Sequence, residues 1–348
     1  MWGNLMAIGQ NLKSLKSTNR SSLLYLLNAN GKMSRKDIAK ALALTPAAVT
    51  KICQELIQEG YIIEAEAIKD GAKGRSEVLL ELTLNDKLVL GICADRDNVS
   101  FSISTLAGNL IDIKSVPFKK DVDEVIDLAY DYLKNSGYEK KIIGAGVCIV
   151  GSSRGYSIWE MANLKEKLED KIHCDVVIHN NVRSFAIAST IYENKDRDKS
   201  ELYFKWGPGV GSAIVNAGQV LSAGDSGVSE IGHYIVNPNG KKCICGRVGC
   251  LETEVALDKG SQDKDIYDKI KLAAMALMNT ATILNAEDIV LFGSVFNDKG
   301  ISDKFIKECL SINPVLSKDS IRVSSLNEKV AFIGASGICA RRLFFERK

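Results

Sequence analysis

The sequence has 348 residues, of which 46% are hydrophobic and 25% are charged, and this balance is typical of a globular protein of two or three domains. It excludes a disordered chain, a collagen-like repeat and a disulfide-rich miniprotein. Apolar runs such as residues 142–150 are much shorter than the roughly 18 residues that span a bilayer. The N-terminus lacks the features of a signal peptide, so we expect a cytoplasmic protein that does not enter a membrane.

The net charge of +2 is unevenly distributed along the chain. Residues 1–54 contain eight Lys or Arg residues against one acidic residue, Asp37, and therefore carry +7, which leaves −5 for the rest. A basic segment joined to a mildly acidic body is typical of a protein whose N-terminus meets a polyanion. A solvated helical surface is the alternative, and charge by itself does not distinguish the two.

Three short helices are predicted at the start of the chain. Leucines between residues 23 and 27 have helical spacing in the first. The second begins at Ser34, because Ser-Arg-Lys-Asp over residues 34–37 has the spacing of a capping box, with Asp in place of Glu. Thr45 and Pro46 begin the third as N-cap and first helical residue, and Gly60 ends it.

Two strands, over residues 61–67 and 78–83, are predicted next, with a basic, glycine-rich tip between them. This order indicates a winged helix-turn-helix, in which the third helix meets base edges in a major groove and the wing meets phosphates or the minor groove. A helical bundle used for protein contacts is the alternative. The predicted DNA contacts are Ser34, Arg35, Thr45, Ala47, Thr50, Lys51 and Gln54 in the helices, and Lys73 and Arg75 in the wing.

A group of cysteines lies in the second half of the chain, close to a histidine. One histidine and three cysteines within 18 residues predict a closed tetrahedral zinc site that is structural rather than catalytic. Gly246 and Gly249 allow the chain to turn tightly around the ion. Three unrelated buried thiols are the alternative. The predicted metal ligands are His233, Cys243, Cys245 and Cys250.

The segment from Glu230 to Glu252 resembles the signature of the ROK family (repressors, open reading frames, kinases). Glu-Ile-Gly-His is followed by Cys-x-Cys-Gly-x-x-Gly-Cys-x-Glu. The winged helix-turn-helix in front resembles that of the family's NagC/XylR-type transcriptional regulators. The resemblance extends from about residue 19 to the C-terminus, and it implies an actin-like body with two α/β lobes and a sugar site in the cleft between them.

The pattern of predicted elements agrees with that fold class, α/β, because strands are interleaved with helices. Strands are predicted over residues 88–94, 99–105, 110–115, 142–149, 176–179 and 289–292, and helices over 123–135, 182–192, 264–284 and 329–345. The expected domains are a winged helix-turn-helix over residues 1–85, a first lobe over 86–199, and a second lobe with the zinc loop over 200–348.

The resemblance also implies a sugar site. The residues that match the family's hexose ligands are Asn180, Asn181, Glu230, His233 and Glu252. Taken singly, each is also compatible with a surface polar residue or a helix cap. Asn181 stands where the family has the Asp that acts as general base. An amide cannot accept that proton, and loss of a positioned base typically costs about 10²–10⁴-fold in rate, whereas sugar binding can persist.

The nucleotide loops depart further from the family pattern. Family kinases begin with Asp-x-Gly-Gly-Thr, whereas residues 93–97 read Cys-Ala-Asp-Arg-Asp. In the second loop, residues 207–211, Pro208 replaces the usual Thr and has no amide hydrogen to donate. The third loop, residues 292–294, is Phe-Gly-Ser rather than a run of glycines. The sequence therefore predicts that ATP is not bound productively.

These patterns together predict a DNA-binding transcriptional regulator, a repressor of carbohydrate-metabolism genes, with no catalytic residues and with zinc as a structural cofactor. Its expected partners are operator DNA and a sugar or sugar-derivative effector, and it is expected to be a homodimer or a dimer of dimers. One alternative is an ATP-dependent hexose or N-acetylhexosamine kinase with a DNA-binding head. Another is a regulator that has lost its ligand and responds to a partner protein.

Overall fold

The structure is a computed structural model. It describes residues 12–68, 77–94, 98–117, 121–149, 163–193, 199–223, 226–227, 229–257 and 263–346. The predicted wing contacts Lys73 and Arg75 and the first-loop residues 95–97 lie outside these ranges.

The N-terminal domain follows the predicted order of helices and strands. Its elements are α1 Leu12–Asn30, β1 Met33–Ser34, α2 Arg35–Ala41, α3 Pro46–Gln58, β2 Ile62–Ile68 and β3 Glu77–Leu82. The three strands form an antiparallel sheet in the order β1-β3-β2. Apolar residues from all three helices and the sheet share one core. The predicted winged helix-turn-helix is therefore confirmed.

Local hydrogen bonds explain where the second and third helices begin. The predicted N-cap at Ser34 is confirmed, because its hydroxyl accepts from the amide of Asp37 at 3.2 Å; the same hydroxyl donates to the Asp37 carboxylate at 2.8 Å. Thr45 caps α3 by accepting from the amide of Ala48 at 3.3 Å, and Pro46 is the first helical residue. Each cap satisfies an amide that has no partner inside its own helix.

The first lobe is a five-stranded sheet with helices packed on its faces. Its elements are β4 Leu88–Ala94, β5 Asn98–Thr105, β6 Leu110–Pro117, α4 Val122–Ser136, β7 Ile142–Ile149, α5 Leu164–Ile172, β8 Val176–Asn180 and α6 Asn181–Tyr192. The strand order is β6-β5-β4-β7-β8, antiparallel from β6 to β4 and parallel from β4 to β8. Helices α4 and α5 cover one face.

The second lobe contains another five-stranded sheet. Its elements are β9 Ser200–Trp206, β10 Val210–Asn216, β11 Gln219–Val220, β12 Ser222–Ala223, β13 Ser226–Gly227, α7 Leu251–Glu254, α8 Asp263–Leu284, β14 Asp288–Phe292, α9 Lys299–Ile312, β15 Ile321–Val323 and α10 Val330–Cys339, which continues as a π-helical turn over Ala340–Phe345. The strand order is β11-β10-β9-β14-β15. The α/β class and the two-lobed body are therefore confirmed.

The last helix packs on the first lobe although it follows the second lobe in the chain. A Cβ atom at Gly91 of β4 would lie only 3.1 Å from the Cβ of Ala335 in α10. The predicted domain limits assign this helix to lobe 2 by its order in the sequence. The division at residue 200 stays a prediction, and we propose that residues 330–346 belong with the first lobe, on whose sheet α10 packs.

Candidate functional site

Helix α3 presents an exposed outer face in the N-terminal domain. Its inner face is buried through Val49, Ile52, Cys53 and Leu56. Ala47, Lys51 and Gln54 are exposed on the other side, and Thr50 is half-buried, with its hydroxyl donating to the carbonyl of Pro46 at 2.8 Å. The structure therefore brings these four predicted DNA contacts onto one helix.

The other predicted contacts in this domain have structural partners. Ser34 is only 2% exposed, so it is a buried helix cap rather than a contact for DNA. Arg35 pairs with Glu64 at 2.6 Å. Thr45 is exposed, but its side-chain oxygen already accepts the amide of Ala48.

Acidic residues that follow residue 54 neutralise much of the N-terminal positive charge. Four of the eight basic residues of this segment form ion pairs of 2.6 to 3.1 Å: Lys16 with Glu55, Arg20 with Glu59, Lys32 with Glu81, and Arg35 with Glu64. Over residues 1–85 the sequence has eleven basic and eight acidic residues, so the domain carries +3. The segment charge of +7 therefore overstates the charge available to a polyanion.

Two of the predicted sugar ligands lie at the junction of β8 with α6. Asn180 caps α6, because its Oδ1 accepts from the amides of Val182 at 2.9 Å and Arg183 at 3.4 Å. Asn181 is the first residue of the helix and is half-buried. A Cβ at Gly211, in β10, would lie 2.8 Å from Val182, so the second glycine loop packs directly on this end of α6.

The Glu-Ile-Gly-His segment meets the same loop from its other side. Gly232 packs against the carbonyl of Val210, so closely that a side chain there would overlap it, and a Cβ at Gly232 would lie 3.6 Å from the Cβ of Glu252. Glu230 is half-buried just before the 3₁₀ turn Ile231–His233. The structure thus gathers the predicted sugar ligands from α6, this turn and α7 around one loop.

The four predicted metal ligands form one compact cluster. Their ligand atoms all lie within 4.8 Å of one another. The sulfurs of Cys245 and Cys250 are 3.6 Å apart, and Cys243 Sγ is 3.5 Å from His233 Nδ1. The edge of a tetrahedron with metal–sulfur distances of about 2.3 Å is ~3.8 Å, so this donor set could hold a metal ion.

The metal cluster shares His233 with the predicted sugar ligands and contacts a second one, Glu252. His233 Nδ1 lies 3.5 Å from Glu252 Oε1, and the Cys243 thiol donates to the same carboxylate oxygen at 3.4 Å. Burial, the largest influence on Cys243, raises the pKa of its thiol to about 12. A bound cation would reverse that effect, because metal ligation favours the thiolate.

Two glycines shape the loop that carries the cysteines. Gly246 and Gly249 have φ angles of +87° and +72°, in the left-handed region that other residues rarely adopt. Gly249 also packs against the carbonyl of Asn237 so closely that a Cβ would overlap it. Arg247, which the sequence does not single out, donates to the carbonyl of His233 at 3.1 Å and holds the loop to the histidine.

Of the three loops that match the family's nucleotide loops, the second and the third have backbone amides with partners inside the protein. The amide of Gly207 donates to the carbonyl of Gly209 at 3.1 Å, and Pro208 between them has no amide hydrogen. In the third loop, the amide of Gly293 donates to Asn327 Oδ1 at 2.7 Å. Asn327 has no sequence signal, because it is brought to this loop from 34 residues further along the chain.

Two family models match the sequence. Residues 17–63 match the winged helix-turn-helix DNA-binding model, and residues 152–266 match the ROK family model. The DNA-binding transcriptional repressor Mlc of Escherichia coli (strain K12) is 24% identical over 263 residues. This match covers 71% of the chain and 65% of Mlc, so the chain spans slightly less than two thirds of that relative's length.

Solved structures share the fold. A ROK family transcriptional regulator described as a homologue of Mlc superimposes with a TM-score of 0.74 and 21% identity, over 95% of this chain and 97% of that one. A ROK family glucokinase from Streptomyces griseus, in complex with glucose and AMPPNP, has a TM-score of 0.60 and 16% identity, over 73% of this chain and all of the kinase. At these identities the likeness concerns the fold.

The chain is therefore a winged helix-turn-helix protein with an actin-like, two-lobed body. More particularly, residues 152–266 match the ROK family model behind a segment that matches the winged helix-turn-helix model, and the chain is similar to the transcriptional repressor Mlc. In the part of the chain that the structure describes, no helix combines the length and the hydropathy needed to cross a membrane.

Gly249→Ala is expected to destabilise the cysteine loop far more than Gly246→Ala. Both glycines have positive φ, which costs an alanine about 1 kcal/mol, but only Gly249 also lacks space for a Cβ. We expect a loss of about 3 kcal/mol in the free energy of unfolding for Gly249→Ala, because overpacking adds to the strain. Urea unfolding monitored by circular dichroism measures the free energy of unfolding of both variants. Equal losses in the two would show that the space for a Cβ does not matter at Gly249.

Proposed function

We propose that this protein is a sugar-responsive DNA-binding transcriptional regulator that represses carbohydrate-metabolism genes. The observation that carries the proposal is the exposed outer face of α3, with Lys51 and Gln54, in a chain whose second glycine loop is surrounded by the predicted sugar ligands. A helix of this kind reads base edges in a major groove. The similarity to the repressor Mlc supports the same role.

The effector site is proposed to lie where Asn180, Asn181, Glu230, His233 and Glu252 meet the second glycine loop. Carboxylate, amide and imidazole groups provide the fixed donors and acceptors that sugar hydroxyls require. Because Asn180 Oδ1 caps α6, that side chain can offer a sugar at most its amide hydrogens. Sugar binding would favour one arrangement of the lobes, and linkage then couples it to DNA affinity.

The ROK body is proposed to lack kinase activity. Productive ATP binding needs backbone amides aimed at the phosphates, and the amides of Gly207 and Gly293 already have internal acceptors. Asn181 cannot act as the general base on a sugar hydroxyl. The protein is therefore proposed to use a kinase-like cleft for recognition and not for phosphoryl transfer.

Zinc is proposed as the ion of the cysteine cluster, bound by His233, Cys243, Cys245 and Cys250. Three thiolates and one imidazole match the closed donor sets of structural zinc sites. When bound, zinc would supply a fixed crosslink between the 3₁₀ turn and the cysteine loop. Nδ1 of His233 is directed at the cysteine cluster, so Nε2 is proposed to form a hydrogen bond with a sugar hydroxyl.

DNA binding is expected to depend on Lys51 and Gln54. Lys51→Ala should weaken binding to the DNA upstream of this gene or of a neighbouring sugar operon by roughly tenfold, because each specific contact contributes about 1–3 kcal/mol. Lys16→Ala is the matched control, since it removes the same charge from a lysine paired with Glu55. Fluorescence anisotropy at several salt concentrations measures both. Equal effects, or no binding of the wild type at low salt, would count against the proposal.

The purified protein is expected to contain about one zinc ion per chain, as a closed four-ligand site implies. Cys250→Ser should remove the metal and lower the melting temperature, because the site crosslinks two segments. Cys309→Ser changes an equally buried thiol that lies in the second lobe core and should keep the zinc. Elemental analysis decides the matter: zinc retained in Cys250→Ser would show that the cluster is not the site.

At least one common sugar or sugar phosphate is expected to bind without being phosphorylated. Calorimetry across a panel of glucose, xylose, N-acetylglucosamine and their phosphates should find a ligand whose affinity falls roughly tenfold or more in Glu252→Gln, because a buried hydroxyl then loses its charged acceptor. A coupled ADP-release assay should detect no turnover, in the wild type or in Asn181→Asp. Robust turnover of any of these sugars would establish a kinase instead.

A further inference from the structure

A single apolar core joins the DNA-binding domain to the helices between the two lobes. This core contains Leu23, Leu24 and Leu27 of α1 together with buried residues of α6 and α10. It also includes Phe344 and Phe345 of the π-helical turn. A domain attached by a free linker would keep a core of its own. The position of the DNA-binding domain is therefore tied to the body through direct packing.

Two consecutive aromatic residues of the π-helical turn make the contact with the DNA-binding domain. The ring of Phe345 stacks on Tyr25 of α1, with centroids 4.2 Å apart and an interplanar angle of 6°. The ring of Phe344 meets Tyr61 edge-on at 5.0 Å. Aromatic pairs of this geometry contribute more than their buried area alone, and they fix orientation as well as distance.

Polar contacts accompany the aromatic ones. The hydroxyl of Ser21 donates to the backbone carbonyl of Phe345, and Asn28 Nδ2 donates to the carbonyl of Ile191 at 2.7 Å. Helix α1 is thereby attached to the ends of both α10 and α6. The outer face of α3 stays exposed in this arrangement.

The segment that leads into α10 is attached to the cleft. Asn327 is 9% exposed, accepts from the amide of Gly293, and donates to the carbonyl of Gly293 at 3.3 Å and to Asn297 Oδ1 at 2.6 Å. Gly293 belongs to the third loop of the second lobe. A movement of this lobe at the cleft therefore acts on the start of α10.

Between Asn327 and Phe345, α10 packs closely against α6 through small residues. A Cβ at Gly334 would lie 3.0 Å from Ser184, and one at Gly337 would lie 2.6 Å from the Cα of Ala188, both in α6. Closely packed backbones shift as units rather than absorbing a displacement through side-chain rotation. Helix α10 can therefore carry a displacement along its length.

We propose that α10 and its π-helical turn couple the cleft to the DNA-binding domain, with Asn327 as the positioning residue at the cleft and Phe345 as the docking residue at α1. The regulatory role of this helix rests on the proposed function, in which a ligand bound between the lobes changes the affinity for DNA through α10. The coupling itself requires neither sugar nor DNA. The coupling free energy is reciprocal, so weakening the contact of α10 at Asn327 also weakens its contact with α1, and the reverse holds as well.

Hydrogen–deuterium exchange of the full chain tests this directly. Asn327→Ala should raise the amide exchange rate of α1 and of residues 340–346 by roughly tenfold, since it breaks two buried hydrogen bonds and one part-buried one and frees the start of α10. Asn279→Ala, an exposed position of α8 in the same lobe, is the matched control and should leave α1 unchanged. The side chain of Asn327 bonds to Gly293 and Asn297, so a purely local role would change only residues near 290–330.

A second variant tests the coupling from the opposite end. Phe345→Leu keeps most of the buried volume but removes the stack on Tyr25, and it should raise exchange in α1 and also at residues 291–297 of the third loop. Phe305→Leu changes an equally buried ring inside the second lobe core and should not affect α1. Unchanged protection of α1 in Asn327→Ala, or unchanged protection of residues 291–297 in Phe345→Leu, would overturn the proposal, whatever the outcome of the sugar and DNA assays.

Discussion

The packing of α6 against α10 is the constraint on which the rest of the molecule depends. The two helices lie between the sheets: α10 contacts β4 and β7 of the first lobe, while Phe185 of α6 stacks on Phe292 of the second sheet at 4.0 Å. Small residues permit this close approach. The N-terminal end of α6 carries two of the predicted sugar ligands, Asn180 and Asn181, and the C-terminal ends of both helices contact the DNA-binding domain.

The end of α6 is also bound to the second lobe by a buried carboxylate. Glu193 accepts hydrogen bonds from Ser189, Ser324 and Ser325. Burial opposes ionisation of Glu193, but these hydrogen bonds outweigh it and lower the pKa of the carboxyl. Because these hydrogen bonds satisfy the ionised carboxylate, a buried acid is tolerated here, where it joins α6 to the segment before α10.

Local signals explain which parts of the fold could be predicted from the sequence. Helix caps at Ser34 and Thr45, and alternating or continuous apolar runs in the strands, depend on neighbouring residues. Helix α5, Leu164–Ile172, was not predicted, because it buries only Leu164 and Leu168 and its other positions are mostly charged. The pairing of N-terminal lysines and arginines with acids beyond residue 54 also escaped prediction, since it depends on tertiary contacts.

The candidate site also has parts that depend on neighbouring residues, which the sequence predicts, and parts that depend on distant residues, which it does not. The cysteine cluster is short in sequence, so its spacing and its two glycines predict a compact set of donors. The hydrogen bonds of the glycine loops, by contrast, depend on more than residue identity. Gly207 and Gly209 look suitable for phosphate in the sequence, yet one amide is turned onto the other's carbonyl. Asn327 then closes the third loop from a distant segment. The same asparagine that bonds to the third loop also lies at the start of α10, so in the two proposals one contact both engages an amide that a phosphate would need and links α10 to the second lobe.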